Sequence, residues 1–468
     1  MSQRIDYYSW VPTTLEGLTG KGDAPLIFDL ESDGLLDQLT KIHCIVLHNP
    51  VTGHTLSAHE PDEIMEALYQ LEFAPVIVGH NIIGFDIPAL QKVYPGFKPK
   101  GKVYDTLNAS RLIWPELKND DFNRLRSKKH QDFPKKFIGL HGLEAWGYRL
   151  GVYKGEFGKT TDWSEWSPEM QSYCGQDVVV TTALFRHILS RNYSQEALAL
   201  EFAFQECIRK QEQHGFPFDT AKAEQLYAKL AADREIINQE FQKIFPPKKM
   251  EETIIPKASN RVYGYTKGVP FTKKWEVPFN PNSNFHVAER LKEKYGWIPS
   301  SFTPTGEPAL DEETLATLPY PEAKRLTRYR EINKIIAMLA EGNAGWLKLV
   351  KPDGRIYGRV TTNGCVSGRC SHSKPNLGQV PKQGELGQAC RELFRATEGW
   401  VMVGADASGL ELRVFGHFLA RYDGGRYAHE VVQGDIHTAN QKAAGLATRD
   451  DAKTFISNVG MTWGKPLD

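Results

Sequence analysis

Apolar positions along the chain change rhythm three times. Short apolar runs come first, in "APLIFDLES" (residues 24–32), "KIHCIVLHN" (41–49) and "APVIVGHN" (74–81). Runs of this length, rich in branched residues and closed by polar loops, predict buried strands. "VVVTTALFRHILS" and "LALEFAFQECIRKQEQHG" instead place apolar residues at helical spacing, and Gly215 closes the second. Strands alternating with helices predict an α/β domain up to roughly residue 190. From Asp219 to Gly345 the pattern is mostly helical, interrupted by "FPPKKMEETIIPKASNRVYGYTKGVPF". That stretch is rich in Pro, Gly and Lys, so it predicts a loop or small subdomain. Beyond Trp346 glycines and basic residues rise, then "WVMVGADAS" predicts a strand and "LELRVFGHFLARYDGG" a helix ended by Gly424 and Gly425. Near the end, Thr448 reads as an N-cap and Asp451 as the third helical residue of a capping box. Arg449 and Lys453 follow four apart on one helical face, an arrangement that suits a phosphate chain.

Composition narrows the class. A chain of 468 residues predicts more than one domain. Net charge is +0, which argues against a polybasic binder but leaves room for a local basic groove. The six cysteines are scattered without a C-x-x-C pair, so neither a zinc site nor a disulfide framework is expected, and a reducing cytosol fits. No apolar run suggests a membrane span, and "MSQRIDYYSWVPTT" lacks the core of a secretory signal.

Carboxylates recur at three places in the first domain. Asp29 and Glu31 sit two apart in "FDLES", so a strand turns both to one side. Asp86 follows the point where "VIVGHN" gives out. Tyr173 and Asp177 are one helical turn apart in "YCGQDVVV". Each pattern alone has a bland reading: a solvated loop, a turn residue, a local hydrogen bond. Gathered together, the carboxylates would repel one another unless a cation intervened. Hard oxygen donors suit Mg2+ or Mn2+.

The ordered set D-x-E, N-x-x-x-x-D and Y-x-x-x-D resembles the DEDDy 3′→5′ proofreading exonucleases. The resemblance implies a ribonuclease-H-like fold, with Asp29, Glu31, Asp86 and Asp177 as ligands of a two-metal site. It implies that Tyr173 orients the attacking water. "YDTLNASRLIWPE" and "LEAWGYRLGVYKGEF" resemble the exonuclease part of replicative polymerases of short-tailed bacteriophages. The second half resembles family A DNA polymerases, the class of bacterial DNA polymerase I. "VTTNGCVSGRCSHSKPNLGQVP" is similar to a stretch that contacts primer–template there, which makes Arg369 and Gln379 candidate DNA contacts. "GADASGLELRVFGHF" resembles motif A. Asp406 matches the metal-binding carboxylate, and Glu411 the residue that packs beneath the incoming sugar. "GDIHTAN" resembles the segment leading to the fingers, which implies that His437 lies near the incoming phosphates, and "RDDAKTF" resembles the opening of the fingers helix, with Arg449 and Lys453 toward the triphosphate.

The resemblance implies an N-terminal extension (1–24), an exonuclease domain (25–195), a mostly helical thumb region (196–350), and a partial α+β palm with the start of the fingers (351–468). The family's second palm carboxylate, in a later H-D-E hairpin, is not among these residues. After Ile456 the similarity ends, and "SNVGMTWGKPLD" reads as sequence from a frameshift, an interrupting element or a premature stop. The expectation is a proofreading replicative polymerase of the bacterial host's cytoplasm, acting on single-stranded 3′ ends and primer–template. Its exonuclease site is complete; dNTP is a substrate only if a second chain completes the polymerase site. The alternative is a non-enzymatic DNA-binding or decaying polymerase fragment. Some relatives recruit host thioredoxin through a long thumb insertion, and the segment from Phe245 to Phe279 is short for that.

Overall fold

The first apolar run becomes the central strand of a five-stranded sheet. In the computed structural model, which describes residues 24–126, 133–153, 162–303, 305–449 and 451–452, β1 (Leu26–Ser32) pairs antiparallel with β2 (Ile42–His48), and β2 with β3 (Thr55–Ala58). On its other side β4 (Val76–Gly79) runs parallel to β1, and β5 (Lys102–Asp105) parallel to β4. The order is β3-β2-β1-β4-β5. Helix α1 (Pro61–Phe73) leads into β4, α2 (Asp86–Val93) lies between β4 and β5, and α3 (Thr106–Ile113) follows β5 directly. Next come α4 (Leu117–Arg126), α5 (Leu143–Leu150) and the long α6 (Pro168–Leu189), capped by the Ser167 hydroxyl and started by proline in its first turn. Helix α6 packs across β1 and β2. Ile27, Phe28, Ile45, Leu47, Ile77, Val78, Leu184 and Phe185 form the core between them, all at most 2% exposed.

Helix α7 (Gln195–His214) adds Leu198 and Phe202 to that core. It ends at Gly215, whose φ is 62°. A side chain there would also meet the Ile356 carbonyl oxygen at 2.9 Å, so both backbone and space call for glycine. The short β6 (Phe216–Pro217) leads to α8 (Thr220–Ile244). Strands β7 (Lys248–Ile254) and β8 (Phe271–Val277), then α9 (Asn284–Tyr295), α10 (Glu312–Thr317), α11 (Pro321–Ile336) and α12 (Trp346–Leu349), complete the helical region. Strand β9 (Arg355–Ile356) pairs with β6, and β10 (Arg359–Thr361) with β11 (Ser371–Ser373); α13 (Gly384–Arg391) follows. Ile356, Leu386, Cys390 and Leu393 share a core with Ala223, Leu230 and Trp346. The segment expected as the start of the palm is thus packed onto the helical region.

The chain divides into two compact units, Met1–Arg395 and Ala396–Asp468. Within the second, α14 (Leu410–Asp423) packs on α15 (Arg426–Gln433), with the Phe415 and Tyr427 rings edge to face at 5.6 Å; α16 (Ile436–Ala444) follows. None of the described helices is long and apolar enough to cross a membrane.

Two local expectations change. The Pro-, Gly- and Lys-rich interruption is bounded by a paired hairpin, β7 with β8, in register from Lys248↔Val277 to Ile254↔Phe271. Its Thr253 and Thr272 hydroxyls meet at 3.0 Å, and Met250 stands opposite Trp275. Such cross-strand pairs stabilise a ladder that composition alone conceals. In the other direction, "WVMVGADAS" is not a strand: it joins no ladder, and Val401 and Val403 are 82% and 85% exposed. Alternating valines favour a strand only when a partner strand lies beside them.

Candidate active site

Asp29 and Glu31 occupy alternate positions of β1 and are half-buried on one face of the central strand. Their neighbours on β1, Phe28 and Leu30, are buried, which fixes the register and so the direction of both carboxylates. Across that face runs α6. Tyr173 and Asp177 lie one turn apart on it, with Cys174 between, and Asp177 is buried. The Cys174 thiol donates to the Asp29 backbone carbonyl at 3.3 Å. Ligand atoms of Asp29, Glu31 and Cys174 all lie within 4.8 Å of one another. Trp163 meets the Tyr173 ring edge-on at 6.4 Å, and the buried His43 ring holds the Trp163 carbonyl at 2.9 Å.

Asp86 reaches the same place from β4. That strand stops at Gly79, where a side chain would press on the Phe28 carbonyl oxygen at 3.0 Å. Asn81 then takes a φ of 69°, a conformation asparagine tolerates better than most residues. The turn delivers Asp86 to the first position of α2, buried, with the backbone N–H of Leu30 donating to its carboxylate. The turn itself is held by Asp105, a fully buried carboxylate at the end of β5. Asp105 accepts from the backbone N–H groups of Asn81 and Ile83, both at 3.1 Å, and caps α3 through Leu107 and Asn108.

Burial, Asp105 and Asp177 together push the Asp86 carboxyl far above the ordinary carboxylate range. Burial raises Asp105 as well. The Cys174 thiol is also raised well above its usual value, first by burial and then by Cys44 and the charges of Asp29 and Glu31. The Cys174 thiol donates to the Asp29 carbonyl here, and the carboxylates of Asp29 and Glu31 are the hard donors beside it. Clustered carboxylates carry an electrostatic cost that a divalent cation would relieve, and their hard oxygens suit such a cation. Asp29, Glu31, Asp86 and Asp177 are the residues that would hold it.

The remaining sequence-derived candidates fall elsewhere. Arg369 lies exposed in the loop between β10 and β11, and exposed Gln379 in a short 3-10 turn after β11. Asp406 and Glu411 are exposed in the second unit, Glu411 in the first turn of α14. His437 opens α16, where the Asp435 carboxylate caps His437 and Thr438 and also pairs with the Arg449 guanidinium at 3.2 Å. Arg449, then Thr438, holds the Asp435 carboxyl well below its usual range. Asp435 thereby joins His437 and Arg449 in one neighbourhood. Thr448 and Asp451 make the reciprocal capping-box bonds at 3.0 Å each. Lys453 lies outside the described residues.

Comparisons with known proteins bear on this arrangement. The family model "DNA polymerase family A" matches residues 266–463. The DNA-directed DNA polymerases of Enterobacteria phage T3 and Escherichia phage T7 are each 35% identical, over 92% of this chain and 74% of the relative. The thermostable DNA polymerase I of Thermus aquaticus is 29% identical over 40% of this chain and 23% of its own length. A solved structure, the POL domain of Pol1 from M. smegmatis in complex with DNA primer-template and dNTP, superposes with a TM-score of 0.64 at 18% identity. It covers 98% of this chain and 71% of the other.

Proposed function

Because the chain belongs to DNA polymerase family A, we propose that it works in DNA replication on primer–template in the bacterial cytoplasm and carries a 3′→5′ proofreading exonuclease. The observation that carries the exonuclease is the convergence of Asp29, Glu31, Asp86 and Asp177 where β1 meets α6. The sheet order β3-β2-β1-β4-β5, with β2 antiparallel and β4 parallel to the centre, supports a ribonuclease-H-like reading of that domain. Bound divalent cations would supply Lewis acidity toward the scissile phosphodiester and charge stabilisation for the leaving 3′ oxygen. Asp29 and Glu31 hold the open side of the site, while Asp86 and Asp177 hold the buried side. Tyr173, one turn from Asp177, directs its phenol at the attacking water, and the edge of Trp163 limits how that ring can turn.

On the polymerase side, Asp406 holds metal, Glu411 packs under the deoxyribose, and His437, Arg449 and Lys453 meet the triphosphate of a dNTP. Arg369 and Gln379 contact primer–template.

A primed template labelled on the primer tests both halves in one assay. With Mg2+ or Mn2+ and no dNTPs the primer shortens, and Asp29→Ala abolishes the shortening. An intact primer, or equal shortening by the alanine variant, would sink the exonuclease. With dNTPs, lengthening of the primer is lost in Asp406→Ala; lengthening that persists in that variant would overturn the role given to Asp406.

A further inference from the structure

Across the β1–β2 ladder, Glu31 pairs with Cys44 and the next residue, Ser32, with Ile42; His43 falls between them as the extra residue of a β-bulge. A bulge re-aims the side chain it carries. The His43 residue is 1% exposed, and its Nε2 lies 2.9 Å from the Trp163 carbonyl oxygen. A carbonyl only accepts, so Nε2 bears the proton of that bond. Nδ1 is buried and meets no hydrogen-bond partner among the described residues. A buried nitrogen left unbonded costs stability, so an apolar side chain would serve packing better. What the imidazole adds is a fixed position for Trp163.

Trp163 belongs to a short segment, residues 162–167, that leads into α6. The far end of that segment is held by Trp166. Its ring stacks on His59 at 4.3 Å, its N–H donates to the Gln171 side chain at 3.1 Å, and Gln171 donates to the Ser57 hydroxyl of β3 at 2.6 Å. The near end is held from β2 by His43. Trp163 and Tyr173 are both half-buried, their rings edge-on at 6.4 Å. An edge contact is directional but soft, so it fixes the phenol only as well as Trp163 is itself fixed. The anchor stands next to Cys44, the ladder partner of Glu31, so the tyrosine takes its position from the strand beside the carboxylates.

We propose that His43 is a positioning residue of the exonuclease: it holds the Trp163 backbone so that the Trp163 ring keeps the Tyr173 phenol aimed at the attacking water. This rests on the exonuclease reading above and adds to it a residue outside the carboxylate set. Loss of the His43 bond leaves Asp29, Glu31, Asp86 and Asp177 in place, so it costs turnover and spares substrate binding.

His43→Gln and His43→Asn separate the bond from the bulk of the ring. Glutamine carries its amide nitrogen close to where Nε2 stands and reaches the Trp163 carbonyl; asparagine is one methylene short. On a short thymidine oligonucleotide with Mg2+, His43→Asn is expected to lower kcat about tenfold with KM within about twofold, and His43→Gln to recover kcat to within about threefold of wild type. Trp163→Ala lowers kcat to a similar extent, and His43→Asn adds nothing in that background, because both act through one ring. Equal losses in the asparagine and glutamine variants, a loss confined to KM, an unchanged kcat in Trp163→Ala, or full additivity of the two changes overturns the proposal. A 19F NMR line from 3-fluorotyrosine placed at position 173 decides the matter apart from turnover. His43→Asn shifts or broadens that line and His43→Gln leaves it in place. A line unmoved in His43→Asn, or moved equally in both variants, refutes the placement whether or not the wild-type chain cuts DNA. A chain that cuts nothing while the line moves as expected sinks the exonuclease reading and leaves the placement of Tyr173 by His43 standing.

Discussion

Asp86 bears the heaviest electrostatic load in the candidate site. It is buried, and Asp105 and Asp177 both oppose its charge. Without a cation, ionising Asp86 costs the fold stability; with one, the ionised carboxylate becomes a ligand. Asp86→Asn keeps the shape and removes the charge, so the metal-free variant should melt no lower than wild type. Addition of Mn2+ at a hundred times its Kd should stabilise the wild type by about 2.7 kcal/mol and leave Asp86→Asn nearly unmoved. Thermal melts with and without Mn2+ read this directly, and a full metal gain in the asparagine variant would remove Asp86 from the ligand set. At this scale the sequence was legible where spacing alone carries meaning. Asp29 with Glu31, and Tyr173 with Asp177, face one way because strand and helix periods require it. Asp105 was passed over because it belongs to no such pair, although an aspartate before "TLN" at a strand end is an N-cap signal. His43 gave no signal at all, since its partner Trp163 is 120 positions away.

Where α3, α4 and α5 meet, elements are held by buried charge. Arg149 of α5 donates to Asp121 of α4 at 3.0 and 2.7 Å, and to the carbonyls of Leu140 and Phe137. His141 stands beside this pair, its Nδ1 3.1 Å from the Ser110 hydroxyl of α3. Burial, then Arg111 and Arg149, lowers the His141 pKa to about 4, with Asp121 opposing. A histidine whose folded pKa is depressed favours the fold while neutral. Its contribution is complete above the unfolded value of about 6.5 and is lost as pH falls through about 4. The loss approaches about 3 kcal/mol by pH 4. Urea unfolding followed from pH 7 to pH 4 should therefore show a steeper decline for wild type than for His141→Gln; parallel declines would show that His141 does not titrate this way. Elements were legible in proportion to how locally they are determined. Strands β1, β2 and β4 follow from runs that bury both faces, and α7 and α14 from periodicity with glycine at the end. The β7–β8 hairpin and the unpaired "WVMVGADAS" were misread for one reason: a strand exists only with its partner, and neither local sequence names one.

The two units differ in what holds them. Three large hydrophobic clusters, built between Ile27 and Leu393, all lie in the first. In the second, residues 400–411 are exposed throughout and join no strand, and α14 buries only Gly416. Little apolar burial and a backbone outside any ladder mean local opening at small free-energy cost. A protease cleaves such a segment far faster than the packed helices before it. Limited digestion with chymotrypsin should cut first at Trp400 or Met402 and leave a resistant fragment ending near there. That fragment keeps Asp29, Glu31, Asp86 and Asp177 of the proposed exonuclease site, so it should shorten a primer as fast as the intact chain. Mass spectrometry of the fragment and a nuclease assay on it check both statements. A first cut inside α7 or α8, or a fragment of that size without nuclease activity, would mean that the second unit contributes to the stability or the chemistry of the first.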